Sequence, residues 1–239
     1  YVDQDDQPLF DDEEFDLDSS SKYFLPNRFH RTDRVGDTNR ISFGLESRLI
    51  NAISGKQRLK AGLAQMVYLN QRKVRETPGE APLTNRYSDL FGEIGVNFTD
   101  RLSTSVDVIW NWAEGQLSAS DIGLDYAGRS NRIELSYRFK PRKPKEDLMA
   151  EVTWPLSRRW LLGIENLYSF RESTNLHTAF SLGYDACCWA TQFELNHERE
   201  ENGGEWFGNT GFVFQLQLKD LGGISSGAID GIVAGLGLD

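Results

Sequence analysis

The sequence predicts an all-β protein, an antiparallel transmembrane β-barrel of which this chain supplies about eleven strands. Apolar side chains recur at every second position along repeated stretches between residues 39 and 218, and polar or charged residues fill the positions between them. Short connections also alternate with long polar ones, as periplasmic turns alternate with external loops in outer-membrane barrels. These observations favour a membrane wall over a compact soluble core.

Residues 132–139 show the alternation most plainly. One side of this stretch is apolar and would face lipid, whereas the charged side would face a wet interior. The apolar side consists of Ile133, Leu135, Tyr137 and Phe139. The same rule predicts strands near residues 39–50, 57–69, 87–98, 102–112, 116–126, 132–139, 147–154, 160–170, 176–185, 188–197 and 210–218. Their lengths suit tilted spans of about 9 to 11 residues.

The odd strand count predicts that the chain is a piece of a larger barrel. Bacterial single-chain barrels carry an even number of strands, so at least one more should lie upstream of Tyr1 or on another polypeptide. An open sheet would also leave two unpaired edges in lipid, where each unsatisfied backbone group is costly. We therefore expect the N-terminal remainder of the same barrel as the first partner.

The two ends of the chain differ from its middle. We predict an acidic external loop segment over residues 1–36, transmembrane strands over 37–220 and a Gly-rich tail over 221–239. Residues 1–20 carry nine acidic side chains and no basic one, so the net charge of −10 is largely local. This pattern speaks against nucleic-acid binding. A signal peptide is not expected within the chain, and neither is a membrane helix.

Two adjacent cysteines, Cys187 and Cys188, form the most distinctive local feature. Neighbouring cysteines fit a disulfide with one another poorly, so partners would lie elsewhere. Structural disulfides, free thiols and a metal site are the alternatives, although two thiols without a nearby His cluster give no tetrahedral ligand set. The predicted topology places this turn in the oxidising periplasm, which favours disulfides.

Other residues indicate membrane anchoring and a polar interior rather than catalysis. Seven aromatic residues near predicted strand ends suit the membrane interface: Trp110, Trp112, Trp154, Trp160, Tyr168, Tyr184 and Trp189. Eight charged residues should face inward, where they would solvate a lumen, meet a plug or touch a polar cargo: Arg40, Glu46, Arg48, Arg132, Glu134, Arg138, Glu165 and Glu194. Three separated histidines without a hydrolase or metalloprotease motif predict no enzyme and no cofactor.

Four sequence blocks in order carry a family resemblance. They are R-T-D-R-V-G-D-T-N-R at 31–40, V-T-W-P-L-S-R-R-W at 152–160, Y-D-A-C-C-W-A at 184–190 and G-F-V-F-Q-L-Q-L-K-D-L-G at 211–222. From about Tyr23 onward, the chain resembles the C-terminal barrel half of the LptD family of lipopolysaccharide-assembly proteins. The adjacent cysteines are the most specific element of the resemblance.

The resemblance implies a non-enzymatic lipopolysaccharide translocon in the outer membrane of a Gram-negative bacterium. Its implied partners are lipopolysaccharide, the plug lipoprotein LptE, the barrel-assembly machinery and a periplasmic bridge protein that acts through a jellyroll missing from this chain. Lipopolysaccharide phosphates would recruit Ca²⁺ or Mg²⁺ weakly to an acidic loop. Cys187 and Cys188 would form disulfides with distant N-terminal cysteines. The last strand would border the lateral gate through Gly211, Phe212, Phe214, Leu216 and Leu218. A general or substrate-specific porin is the main alternative; an outer-membrane hydrolase and a soluble β-sandwich are the others.

Overall fold

A computed structural model describes residues 13–30, 34–77, 79–142, 145–202 and 205–219. Eleven antiparallel strands follow one another in chain order within one sheet, preceded by one short 3₁₀ helix, Ser20–Phe24. The strands are β1 Arg40–Ile50, β2 Gln57–Tyr68, β3 Leu90–Asn97, β4 Leu102–Asn111, β5 Gln116–Ala127, β6 Arg132–Lys140, β7 Lys145–Pro155, β8 Trp160–Ser169, β9 Thr174–Asp185, β10 Trp189–Asn202 and β11 Glu205–Leu218. The predicted all-β antiparallel fold and its eleven strands are confirmed. Within the described part of the chain, no helix is both long and apolar enough to cross a bilayer.

The predicted loop over residues 198–208 is wrong. The ladder between β10 and β11 continues out to the pair formed by Asn202 and Glu205. Alternation of apolar residues marks only the part of a strand that meets hydrocarbon, whereas backbone pairing continues into water beyond it. The hairpin is therefore longer than its apolar pattern.

The chain divides into two compact units, Tyr1–Val96 with Ser105–Ser120, and Asn97–Thr104 with Asp121–Asp239. In the first unit, β1 pairs with β2 along its whole length, and β2 pairs with β3 from Leu59 opposite Val96 to Ala64 opposite Phe91. The apolar face of β1 is open, with Phe43 and Leu45 exposed by 57% and 71%. An exposed aliphatic and aromatic face of this kind suits contact with hydrocarbon.

The buried core of the first unit lies on the opposite, polar face of β1–β3. There Tyr23, from the 3₁₀ helix, packs with residues of β2 and β3 and is completely buried. The other members of this cluster are Ala64, Met66, Tyr68 and Phe91. The segment before β1 therefore covers the polar face of the first three strands.

This arrangement adds a finding about the predicted acidic segment. Its described residues, 13–30 and 34–36, include Tyr23, Phe29 and Arg34, which are exposed by 0%, 2% and 3%. Residues 1–12 and 31–33 lie outside the described residues, as does the predicted tail of residues 221–239. The external position of the segment and the three domain boundaries stay predictions.

In the second unit, β6 to β11 pair antiparallel in sequence order. The registers place Glu134, Glu151 and Glu165 opposite one another on one face of β6, β7 and β8. The other face carries the apolar rows, including Phe180, Phe193 and Leu195 with exposures of 42–50%. The alternation read from the sequence thus separates the two faces as predicted.

Candidate functional site: the last strand and the cysteine turn

The two cysteines occupy the centre of a tight turn. β9 ends at Asp185 and β10 begins at Trp189, and the turn is closed by a hydrogen bond of 2.9 Å from the Ala186 N–H to the Trp189 carbonyl. Cys187 and Cys188 are both exposed, and their sulfur atoms lie 3.3 Å apart. That separation exceeds the roughly 2.05 Å of a disulfide bond. The two sulfurs are therefore not bonded to one another, and the turn presents both to the surroundings.

Neighbouring strands hold the turn from both sides. On one side, the Asp185 N–H donates to the Arg159 carbonyl at 2.8 Å, in the connection that leads into β8. On the other side, the Lys219 N–H donates to the Cys188 carbonyl at 3.0 Å. The Lys219 ammonium also donates to a carboxylate oxygen of Asp185, whose residue is only 5% exposed. The cysteine turn is thus attached to the residue that follows the last strand.

The last strand, β11, has two different faces. Its apolar residues on one face are exposed by 51–66%: Phe212, Phe214, Leu216 and Leu218. The other face carries Gly211, Gln215 and Gln217, which lie opposite Asn196, Gln192 and Ala190 of β10. This is the arrangement expected of a strand between lipid and a polar interior.

The pairing of β11 is one-sided. Its apolar side chains are anchored to β10, where the Phe193 ring lies 4.9 Å from the Phe214 ring and 6.3 Å from the Phe212 ring. Among the described strands, β10 is the only one that pairs with β11. The second edge of β11 therefore presents backbone donors and acceptors that need a partner in a membrane. Which strand supplies that partner lies beyond the described residues.

Unpartnered polar atoms accompany this edge. The side-chain oxygens of Gln192, Gln215 and Gln217 are buried, and none has a hydrogen-bond partner among the described residues. All three lie on the polar face of the final hairpin, near its Cys-turn end. Buried acceptors without donors are unusual in a completed protein. They indicate that further polar groups approach this face.

The eight predicted inward charges all lie on the polar face, where strand neighbours pair several of them. In the first unit, Lys60 lies 3.5 Å from Glu46 and 2.8 Å from Glu93. In the second unit, Arg138 lies 2.5 Å from Asp121 and Arg132 lies 3.2 Å from Asp125. These cross-strand pairs are a direct result of the register.

The glutamates of the second unit are less balanced by opposite charge. Glu151, Glu165 and Glu194 border a cleft of about 160 Å³, with Gly163 and Ser181 between them. No cluster of His, Cys, Asp and Glu within the described part of the chain has the form of a metal site. The cleft therefore contributes an acidic patch to the polar face.

Aromatic residues form a row beside the cysteine turn. The Tyr184 ring lies 4.8 Å from the Trp160 ring and 5.3 Å from the Trp189 ring. A second pair, Tyr168 and Phe170, lies at the other end of β8 with ring centroids 5.1 Å apart. Amphipathic rings at both strand ends match the aromatic girdles of a membrane barrel. Both rows follow the strand-end positions predicted from the sequence.

Comparison with known proteins identifies the family. The family model described as LptD, LPS transport system D, matches residues 1–183. The chain belongs to the LptD family. The cysteine turn and β11 lie beyond the matched residues, but the similarity to individual relatives extends further.

Two curated relatives illustrate that similarity. The LPS-assembly protein LptD of Burkholderia cenocepacia is 31% identical over 248 residues, which cover 99% of this chain and 31% of the relative. The LPS-assembly protein LptD of Thiobacillus denitrificans is 30% identical over 235 residues, with coverages of 96% and 31%. The chain therefore spans about a third of the length of these LptD relatives. Family membership and the two-faced strands place this LptD-family chain in the outer membrane of a Gram-negative bacterium.

Sequence reasoning missed the packing of the segment before β1. Arg28 is at the centre of this packing, 3.1 Å from both Glu14 and Asp37. The Tyr23 hydroxyl donates to the Asp89 carbonyl, and the Ser42 hydroxyl donates to the Tyr23 carbonyl. Aromatic residues within an acidic stretch were the available signal, but they follow no strand or helix period that would have placed them on the sheet.

Proposed function

We propose that this LptD-family chain supplies part of the barrel wall through which lipopolysaccharide is inserted into the outer leaflet, with β11 as one side of the lateral gate. One observation supports this role above the others. β11 pairs on one edge only within the described part of the chain, and it carries an open row of Phe and Leu residues. The relatives share the printed name LPS-assembly protein, which favours this role over a porin.

The two faces of the sheet suggest how the cargo would divide. The sugar and phosphate groups of lipopolysaccharide need water or polar side chains, and the charged face of the strands offers them. The acyl chains need hydrocarbon, which begins at the row of Phe212, Phe214, Leu216 and Leu218. A lipid passing beside β11 would keep each part in a suitable environment, so no chemical step is required.

A gate at β11 requires that its second edge can open. The ladder with β10 continues without a break from Trp189 to Asn202, and ring contacts reinforce it. The strand on the second edge would come from the N-terminal remainder of the barrel, and the opening would occur there. Unpartnered glutamine oxygens beside β11 are compatible with a polar and incompletely sealed junction.

The remaining partners are proposed on the same basis. Cys187 and Cys188 would form disulfides with cysteines in the N-terminal remainder, since both thiols are exposed and do not bond to one another. LptE would occupy the polar interior, and the periplasmic bridge protein would deliver lipopolysaccharide through the jellyroll. The barrel-assembly machinery would read the final strand. Ca²⁺ or Mg²⁺ would associate only weakly, through lipopolysaccharide phosphates.

An engineered disulfide tests the gate. A cysteine replacing Phe212 should be joined to a cysteine on the strand that borders the second edge of β11 in the full-length protein. We expect oxidation to stop the appearance of new lipopolysaccharide at the cell surface, and reduction to restore it. The control joins Phe212→Cys to Leu195→Cys, which already face one another across the β10–β11 ladder, and should leave transport unchanged. Normal transport with the outer-edge disulfide fully formed would exclude the gate.

A further inference from the structure

A single residue beyond β11 contacts both flanks of the cysteine turn. The Lys219 N–H donates to the Cys188 carbonyl at 3.0 Å, and the Lys219 ammonium donates to the Asp185 carboxylate. Asp185 precedes the turn, and Cys188 is its last residue. In the ladder, Leu218 lies opposite Trp189, so Lys219 continues the same register past the end of the strand. The position of Lys219 therefore depends on β11 being paired to its end.

The burial of Asp185 makes this ion pair significant. The Asp185 side chain is 4% exposed, whereas that of Lys219 is 27% exposed. The second carboxylate oxygen of Asp185 is buried, and no hydrogen bond to it occurs among the described residues. Removing the ammonium would leave a buried charge without compensation, which destabilises the surrounding structure. The turn would then relax until water reached the carboxylate.

We propose that Asp185 and Lys219 are positioning residues for the thiols of Cys187 and Cys188, because their ion pair clamps the cysteine turn to the end of β11. The thiols keep their orientation only while β11 is paired with β10 as far as Leu218. The clamp thereby couples the disulfide-forming turn to the gate strand. This inference rests on the proposed function only in treating the two cysteines as the residues that join the barrel to its N-terminal remainder.

The test measures thiol reactivity in the folded barrel. The full-length protein in isolated outer membranes is reduced, and the labelling rates of Cys187 and Cys188 with a maleimide are followed by mass spectrometry. We expect Lys219→Met to raise the labelling rate roughly fivefold, the change in population that one partly exposed ion pair supports. Lys219→Arg keeps the charge and should preserve the parent rate.

A matched control comes from the same unit. Lys145 lies 3.4 Å from Asp147, which is also buried, at the end of β7 remote from the cysteine turn. Lys145→Met removes a comparable ion pair and should leave the labelling rate unchanged. Equal rates for Lys219→Met and the parent, with both barrels equally folded by heat-modifiable electrophoresis, would overturn the proposal.

A charge exchange covers the case in which Lys219→Met does not assemble. Asp185→Lys combined with Lys219→Asp retains an ion pair of reversed polarity. Labelling at the parent rate would support the clamp, whereas accelerated labelling in an assembled barrel would contradict it. The labelling rate does not require lipopolysaccharide transport, so failure of the gate hypothesis would leave this readout unaffected. Conversely, normal labelling in all variants would refute the clamp and leave transport through β11 open to its own test.

Discussion

The hydroxyl of Tyr23 donates a hydrogen bond of 3.1 Å to the backbone carbonyl of Asp89, and so ties the segment before β1 to the residues that lead into β3. The Tyr23 ring lies 6.1 Å from that of Phe91 and is completely buried. The link matters because the segment covers the polar face of β1–β3. A barrel wall with a covered polar face offers less free lumen than strands alone would suggest.

Truncating Tyr23 should destabilise this packing strongly. We expect Tyr23→Ala to lower the free energy of unfolding by about 3 kcal/mol or more, because a large buried ring leaves a cavity. Tyr23→Phe keeps the ring and removes only the hydrogen bond to Asp89, for a loss of about 1 kcal/mol. Urea titration of the folded protein in detergent or vesicles measures both variants. A similar loss for the two would contradict the cavity explanation.

Stability should fall at alkaline pH because of the same residue. Burial, together with the nearby charge of Asp89, raises the pKa of the Tyr23 hydroxyl well above its ordinary value. Above about pH 10, an unfolded tyrosine releases its proton while folded Tyr23 retains it, so the unfolded state is favoured as the pH rises. Below that pH the hydroxyl is protonated in both states, and it adds no pH dependence. Tyr23→Phe should flatten the decline between pH 10 and 11.5, and an unchanged decline would assign it to other groups.

Arg28 should be worth more than an exposed arginine on a strand. Its side chain is 11% exposed and lies between Glu14 and Asp37, so Arg28→Met leaves two carboxylates without their partner. We expect a loss of about 3 kcal/mol. Arg132→Met is the control, since Arg132 and its partner Asp125 are 59% and 37% exposed and such a pair contributes less than about 1 kcal/mol. Denaturant midpoints of the two variants decide the comparison, and equal midpoints would show that Arg28 is not a structural anchor.

The two faces of β11 should respond differently to charge. Phe214 is 52% exposed on the apolar face, where an arginine would enter hydrocarbon. We expect Phe214→Arg to reduce stability by about 2 to 4 kcal/mol if it lies near the bilayer centre. Gln215→Arg on the polar face should be tolerated. The folded fraction of each variant in outer membranes, measured by heat-modifiable electrophoresis, would argue against the face assignment if Gln215→Arg proved the more damaging.

The cysteines should give a direct electrophoretic signal. Non-reducing gels of the full-length protein should show a mobility change in Cys187→Ser and Cys188→Ser compared with the parent, because each substitution removes one link to a distant segment. The double variant should migrate like the fully reduced parent. Ala186→Ser changes the same turn without removing a thiol and serves as the control. Identical migration of all variants would indicate that these thiols form no long-range disulfide.

The strands were predictable because their environment imposes a simple rule. Each residue of β6 meets either hydrocarbon or a polar interior, so Ile133 and Glu134 already indicate the two faces. The rule fails where a strand leaves the membrane. Residues 198–202 and 205–208 alternate poorly because both of their faces are wet, and only backbone pairing keeps them extended. Periodicity therefore predicted the existence of β10 and β11 better than their lengths.

Taken alone, the sequence determined the fold class, the two faces and the cysteine turn, because period, composition and adjacency are all local properties of the chain. Only the tertiary structure revealed that Tyr23 packs across β1–β3 and that Lys219 reaches Asp185, 34 residues away. Contacts of this kind depend on register and on which strand becomes the neighbour. Neither has a period that can be read along the chain, so they follow only once the strands are assembled.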